Sequence, residues 1–182
     1  MVLIIVAVVA AVLFGAFLVI YNRLVRRRNR VDNSWAQVDV QLRRRYDLIP
    51  NLVESVKGYA AHEQETFEAV VAARNQAQEA GSVADQAQAE GALGMVLRRL
   101  FALAEQYPQL RATENFQDLQ RQLAEAEDRI AVARQIYNDS VLTYNNTVET
   151  IPSNLVAAIA GFRTREFFEI PDDARSVPRV EF

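Results

Sequence analysis

The chain has no cysteine and one histidine among its 182 residues. Without cysteine there can be no disulfide, no thiolate metal site, no cysteine nucleophile and no lipidated cysteine of the lipoprotein type. His62 alone cannot build the usual zinc constellations. The residue three before it is Tyr59, so the Glu-x-x-His pairing of di-iron bundles is missing too. His62, in GYAAHEQE, is expected on the solvated side of a helix without chemistry. Glycine and proline are also scarce, and neither occurs between Ala16 and Ile49. Charge of both signs is absent from the first twenty residues, MVLIIVAVVAAVLFGAFLVI.

The next ten residues, YNRLVRRRNR, contain Arg23, Arg26, Arg27, Arg28 and Arg30. A helix over the uncharged run is ~30 Å long, the thickness of a bilayer's hydrocarbon core. A cleaved signal peptide would carry positive charge before the run and a small-residue cleavage site after it; here the order is reversed. A soluble core helix would keep a polar face, and this run has none. Residues 1–21 are therefore expected to form a single-pass anchor with its N-terminus outside. The arginines hold the rest of the chain on the cytoplasmic side and offer contacts to anionic lipid headgroups.

Twenty basic and twenty-three acidic residues nearly balance, which excludes nucleic-acid binding by bulk electrostatics. No nucleophile is spaced with a base, and EGALG at Glu90 to Gly94 is too short and apolar to cradle phosphate. No catalytic, metal or cofactor site is expected.

Apolar residues at steps of three and four predict one long helix from Arg23 to Ala80, along Val31, Trp35, Val38, Leu42, Tyr46, Ile49, Val53, Val56, Ala60, Phe67 and Val70. Pro50 should kink it without breaking it. Ser82 with Asp85 resembles an N-terminal cap for a second helix, which Pro108 closes. Asn115 is expected to cap a third, with the stripe Phe116, Leu119, Leu123, Ala126, Ile130, Ala133, Tyr137, Val141, Tyr144 and Val148. A short helix from Asn154 to Ala160, ended by Gly161, completes the set. No strand pattern precedes the tail, so the fold class is all-α: an N-terminal transmembrane helix continuous with the first helix of an antiparallel four-helix bundle over residues 22–161. The tail, 162–182, contains Pro171, Pro178 and four phenylalanines. It reads either as an extended strap on the bundle or as a docking peptide for a partner.

The run RRRYDLIPNLVESVKGYAAHEQETFEAVVAAR from Arg43 to Arg74 resembles the signature of the LemA family of bacterial membrane proteins. ENFQDLQRQLAEAEDRIAVARQIYNDSVLTYN, from Glu114 to Asn145, resembles that family's second hallmark, and the turn at Pro152 to Asn154 and the PRVEF ending extend the similarity along the chain. The resemblance implies a bacterial cytoplasmic membrane, an N-terminal transmembrane helix and a cytoplasmic helical bundle. It implies no reaction and no catalytic residue. Some family members are linked to membrane organelle formation, which points toward membrane organisation.

Two further expectations concern named residues. Arg43, Arg44, Arg45 and Asp47 on the first helix should meet Arg134, Asn138, Asp139, Asn145 and Asn146 on the third, forming a polar network that fixes register. A first helix of ~87 Å would also outreach a third helix of ~55 Å. Val31, Trp35 and Val38, near the membrane, would then be left uncovered as a self-association surface. The expected function is a non-enzymatic, membrane-anchored scaffold that forms homo-oligomers and organises membrane or recruits partners. The alternative is an adaptor of a membrane enzyme, such as a quality-control protease, acting through the tail.

Overall fold

The computed structural model describes residues 1–170, and these are all-helical, without a strand. The helices are α1 (Val2–Lys57), α2 (Gln64–Gln78), α3 (Val83–Ala104), α4 (Pro108–Arg111), α5 (Glu114–Glu149) and α6 (Ser153–Ala160). Two compact units emerge from the packing. The first combines residues 1–36 with 135–166; the second combines residues 37–134 with 167–170 among the described residues. Segments of α1 and α5 contribute to both.

α1 runs without interruption from the uncharged segment through the arginines and past Pro50. Its apolar window is long enough to cross a membrane and is entirely unburied within the chain. Proline at position 50 removes the N–H that would bond the Tyr46 carbonyl. Arg74 from α2 replaces it, donating from Nε to the Tyr46 oxygen at 2.8 Å. The helix therefore continues through proline with its orphaned acceptor satisfied.

The expected helix to Ala80 ends instead at Lys57, and residues 58–63 turn before α2 begins. Gly58 is a poor helix former, costing about 1 kcal/mol relative to alanine, and both Tyr59 and Ala60 donate their N–H groups to the Val56 carbonyl at 3.0 Å. The apolar spacing concealed this break because Ala60 stays buried beyond it. His62 is exposed, as expected, but lies in the turn and not on a helix.

Ser82 caps α3 as its sequence suggests, accepting the Asp85 N–H at 3.0 Å, and α2 packs on α3 as a hairpin. Pro108 opens α4 at its first position, where a missing N–H costs nothing, and so starts a helix where closure alone was expected. α5 begins at Glu114, which places Asn115 inside it; the Asn115 amide reaches Ser55 Oγ at 3.4 Å and does not act as the cap. Gly161, at φ +72°, ends α6 in the left-handed conformation that glycine adopts without strain.

In the first unit Leu24, Val156 and Ala157 are buried together, with Phe17, Ile20, Val148 and Phe162 packed around them. In the second unit Leu42, Ile49, Leu52, Val56, Leu93, Leu100 and Phe116 are all buried. Residues 162–170 carry neither helix nor strand. The rest of the tail expected as a strap or docking peptide, 171–182, lies outside the described residues.

Candidate functional sites: a strapped helix pair and a buried ion pair

In the first unit, α1 and α5 lie side by side and together hold the chain that follows α6. Arg27 donates from Nη1 to the Thr143 carbonyl at 2.7 Å and also to Thr147 Oγ1. Burial, and secondarily the charge of Arg23, lower the Arg27 guanidinium from its ordinary pKa. Trp35 and Tyr137 pack with ring centroids 5.2 Å apart.

Asn145 grips the backbone of Arg165 from both sides. Its Nδ2 donates to the Arg165 carbonyl and its Oδ1 accepts the Arg165 N–H, each at 2.9 Å. Tyr137 donates its hydroxyl to the Glu166 carbonyl at 2.9 Å, and Arg165 pairs with Asp32 at 3.1 Å. Phe162 is held edge-on by Tyr21 at 5.7 Å, with the Arg28 guanidinium 5.4 Å from its ring centroid. Burial pushes the Tyr137 and Tyr144 phenols upward in pKa, against the opposing pull of Arg165.

In the second unit a buried ion pair joins three helices. Arg45 of α1 pairs with Glu90 of α3, and its Nη1 donates to Glu127 Oε1 of α5 at 2.6 Å. Arg45 and Glu90 are each 3% exposed. Tyr46 donates its hydroxyl to Glu90 Oε1. Gln86 Nε2 lies 2.8 Å from Tyr46 Oη, 2.9 Å from Glu90 Oε1 and 3.0 Å from the Ala77 carbonyl, so it also ties α3 to the end of α2. Burial raises the Tyr46 phenol, with Arg45 and the Gln86 hydrogen bond pulling the other way. Deleting one member of a pair this deep characteristically costs ~3–5 kcal/mol, because the remaining charge is stranded.

Arg45 and Asn145, expected in one polar network, belong to two separate clusters. Arg43, Arg44, Asp47, Asp139 and Asn146 are exposed, while Arg134 and Asn138 are half-buried. The arginine that matters is Arg45, and its partners are glutamates that sequence spacing did not single out. Asn145 holds the post-α6 chain, not an arginine of the first helix. Arg45 could have been found from the stripe itself: it sits beside Tyr46, three residues after Leu42, and so on the buried arc.

Of the arginine group, Arg27 turns inward onto α5 and Arg28 covers Phe162, whereas Arg23, Arg26 and Arg30 are exposed. Val31 and Val38 are only 2% and 0% exposed within the single chain, and Trp35 packs on Tyr137. The uncovered surface expected at these three positions is therefore absent. Its premise fails because α1 ends at Lys57: the portion from residue 22 to 57 is no longer than the 36-residue α5. Among the described residues no group of His, Cys, Asp or Glu side chains is placed to hold a metal ion.

These features define an all-helical protein with one candidate membrane-spanning helix, whose ionic clusters are tied up in holding helices and chain together. The chain belongs to the LemA family, whose model matches residues 34–182. Similar proteins include Magnetosome protein MamQ 2 of Paramagnetospirillum magneticum, 30% identical over 92% of this chain and 71% of the relative. Magnetosome protein MamQ of Magnetospirillum gryphiswaldense is 29% identical over 81% of this chain and 64% of its own length. Protein LemA of Metamycoplasma hominis is 23% identical over 79% and 68%. None of these names carries a reaction.

Proposed function

We propose that this protein is a non-enzymatic, membrane-anchored helical scaffold. The observation that carries the reading is the uninterrupted α1, whose unburied apolar segment and core-forming segment are one element. A membrane that holds the first segment then orients what the second is folded into, with no glycine or proline between Ala16 and Ile49 to act as a swivel. The clustered arginines favour an inner-membrane anchor with its N-terminus outside and the folded part on the cytoplasmic face. Arg23, Arg26 and Arg30, exposed there, suit contact with anionic headgroups. Similarity to the magnetosome proteins supports a part in organising membrane or in recruiting partners to it.

Self-association belongs to this proposal, but not through Val31, Trp35 and Val38. Two measurements test the reading. The full chain should stay in the membrane pellet after alkaline carbonate extraction, and a variant lacking residues 2–20 should move to the supernatant; a full chain released by carbonate overturns the anchor. The mass of the protein extracted in mild detergent should exceed that of one chain, and a single-chain mass at every concentration removes the oligomer.

A further inference from the structure

α6 packs on the part of α1 around the end of the uncharged run, from Phe17 to Leu24. Its buried residues Val156 and Ala157 meet Leu24, and Phe17 and Ile20 pack against the same cluster. Phe17 and Ile20 belong to the uncharged run. Where that run crosses a bilayer, as proposed above, Ile20 lies at its boundary and Phe17 ~5 Å deeper, at ~1.5 Å per residue. A helix seated on these side chains is at the depth of the headgroups and the first acyl carbons.

The other side of α6 suits that depth. Leu155 and Ile159, one turn apart on the same side of α6, are 63% and 77% exposed, and Ile151, in the turn that leads into α6, is 82% exposed. No charged side chain occurs from Thr150 to Phe162. Tyr21 and Arg28 hold Phe162 at the end of the segment, an aromatic and cationic grouping of the kind that sits at a membrane interface.

We infer that α6 is an interfacial helix that, with the turn before it, inserts Leu155, Ile159 and Ile151 into the leaflet from which α1 emerges. Its occupant is lipid at the headgroup–acyl boundary, which apolar helix faces enter by ~5–10 Å. The contact gives the protein a second attachment beside its anchor and fixes the rotation of α1 about its own axis. The inference rests on the anchor reading, and the experiment separates the two.

The chain has no cysteine, so Leu155→Cys and Ile159→Cys each accept a single environment-sensitive fluorophore. Leu13→Cys, in the uncharged run, and Glu125→Cys, exposed on α5, serve as references. Each full-length labelled variant is reconstituted into phosphatidylcholine–phosphatidylglycerol vesicles with nitroxide-bearing acyl chains. Positions 13, 155 and 159 should be quenched several-fold more strongly than position 125. Quenching at 13 with 155 and 159 behaving like 125 overturns the interfacial helix and leaves the anchor standing. No quenching at 13 overturns the anchor and the inference with it. A blue-shifted but unquenched signal at 155 and 159 assigns the face to a second protein surface and also overturns the inference.

Discussion

Pro50 deprives the Tyr46 carbonyl of its helical partner, and Arg74 supplies a substitute across to α2. The two residues should therefore be energetically coupled. Arg74→Met leaves a carbonyl unpaired and is expected to destabilise the protein by ~1–3 kcal/mol. In a Pro50→Ala background the alanine N–H can reach Tyr46, so the same substitution should cost much less. A double-mutant cycle from denaturant melts in detergent measures the difference; equal costs in both backgrounds would show that Arg74 does not serve this carbonyl. Pro50 could be read from the sequence as an interruption that the apolar stripe overrides. Arg74 could not, because nothing local marks which distant donor answers a missing hydrogen bond.

At the scale of elements, the stripes were legible almost residue by residue. The ten positions from Phe116 to Val148 are buried, apart from a half-buried Val148, since a period of three and four leaves one face for packing. The ends were less legible. Gly58 broke a helix whose apolar spacing ran on, and Pro108 began one instead of only ending one. The chain just after α6 shows the same limit: the side chain that fixes the backbone of Arg165 is Asn145. Asn145→Ala removes both hydrogen bonds to the Arg165 backbone. The Arg165 amide should then exchange with deuterium at least tenfold faster, a factor corresponding to about 1.4 kcal/mol, while amides in the middle of α3 stay protected. Unchanged exchange at Arg165 would show that Tyr137 and Asp32 suffice to hold the strap.

For the whole molecule, three phenols bias stability in one direction. Burial raises the pKa of Tyr46, Tyr137 and Tyr144, so above pH ~10 the unfolded chain loses these protons before the folded chain does. Their contribution is full below the unfolded value and is lost as pH rises through the folded values. The thermal midpoint should hold to about pH 9 and fall beyond it, and the Tyr46→Phe variant should fall less steeply over the same interval. A midpoint that stays level to pH 11 would contradict the burial of these hydroxyls.

The Arg45 ion pair also carries a consequence for the order in which the chain is made. Synthesis delivers Arg45 well ahead of Glu90, and Glu127 follows Arg45 by 82 residues. Until those carboxylates emerge, a guanidinium at this depth has no counter-charge, and water is its cheapest neighbour. Where the uncharged run is anchored as proposed, the nascent α1 would enter the membrane at one end while its other end stays hydrated. The second unit's ion pair can then close only once α3 and α5 have been made.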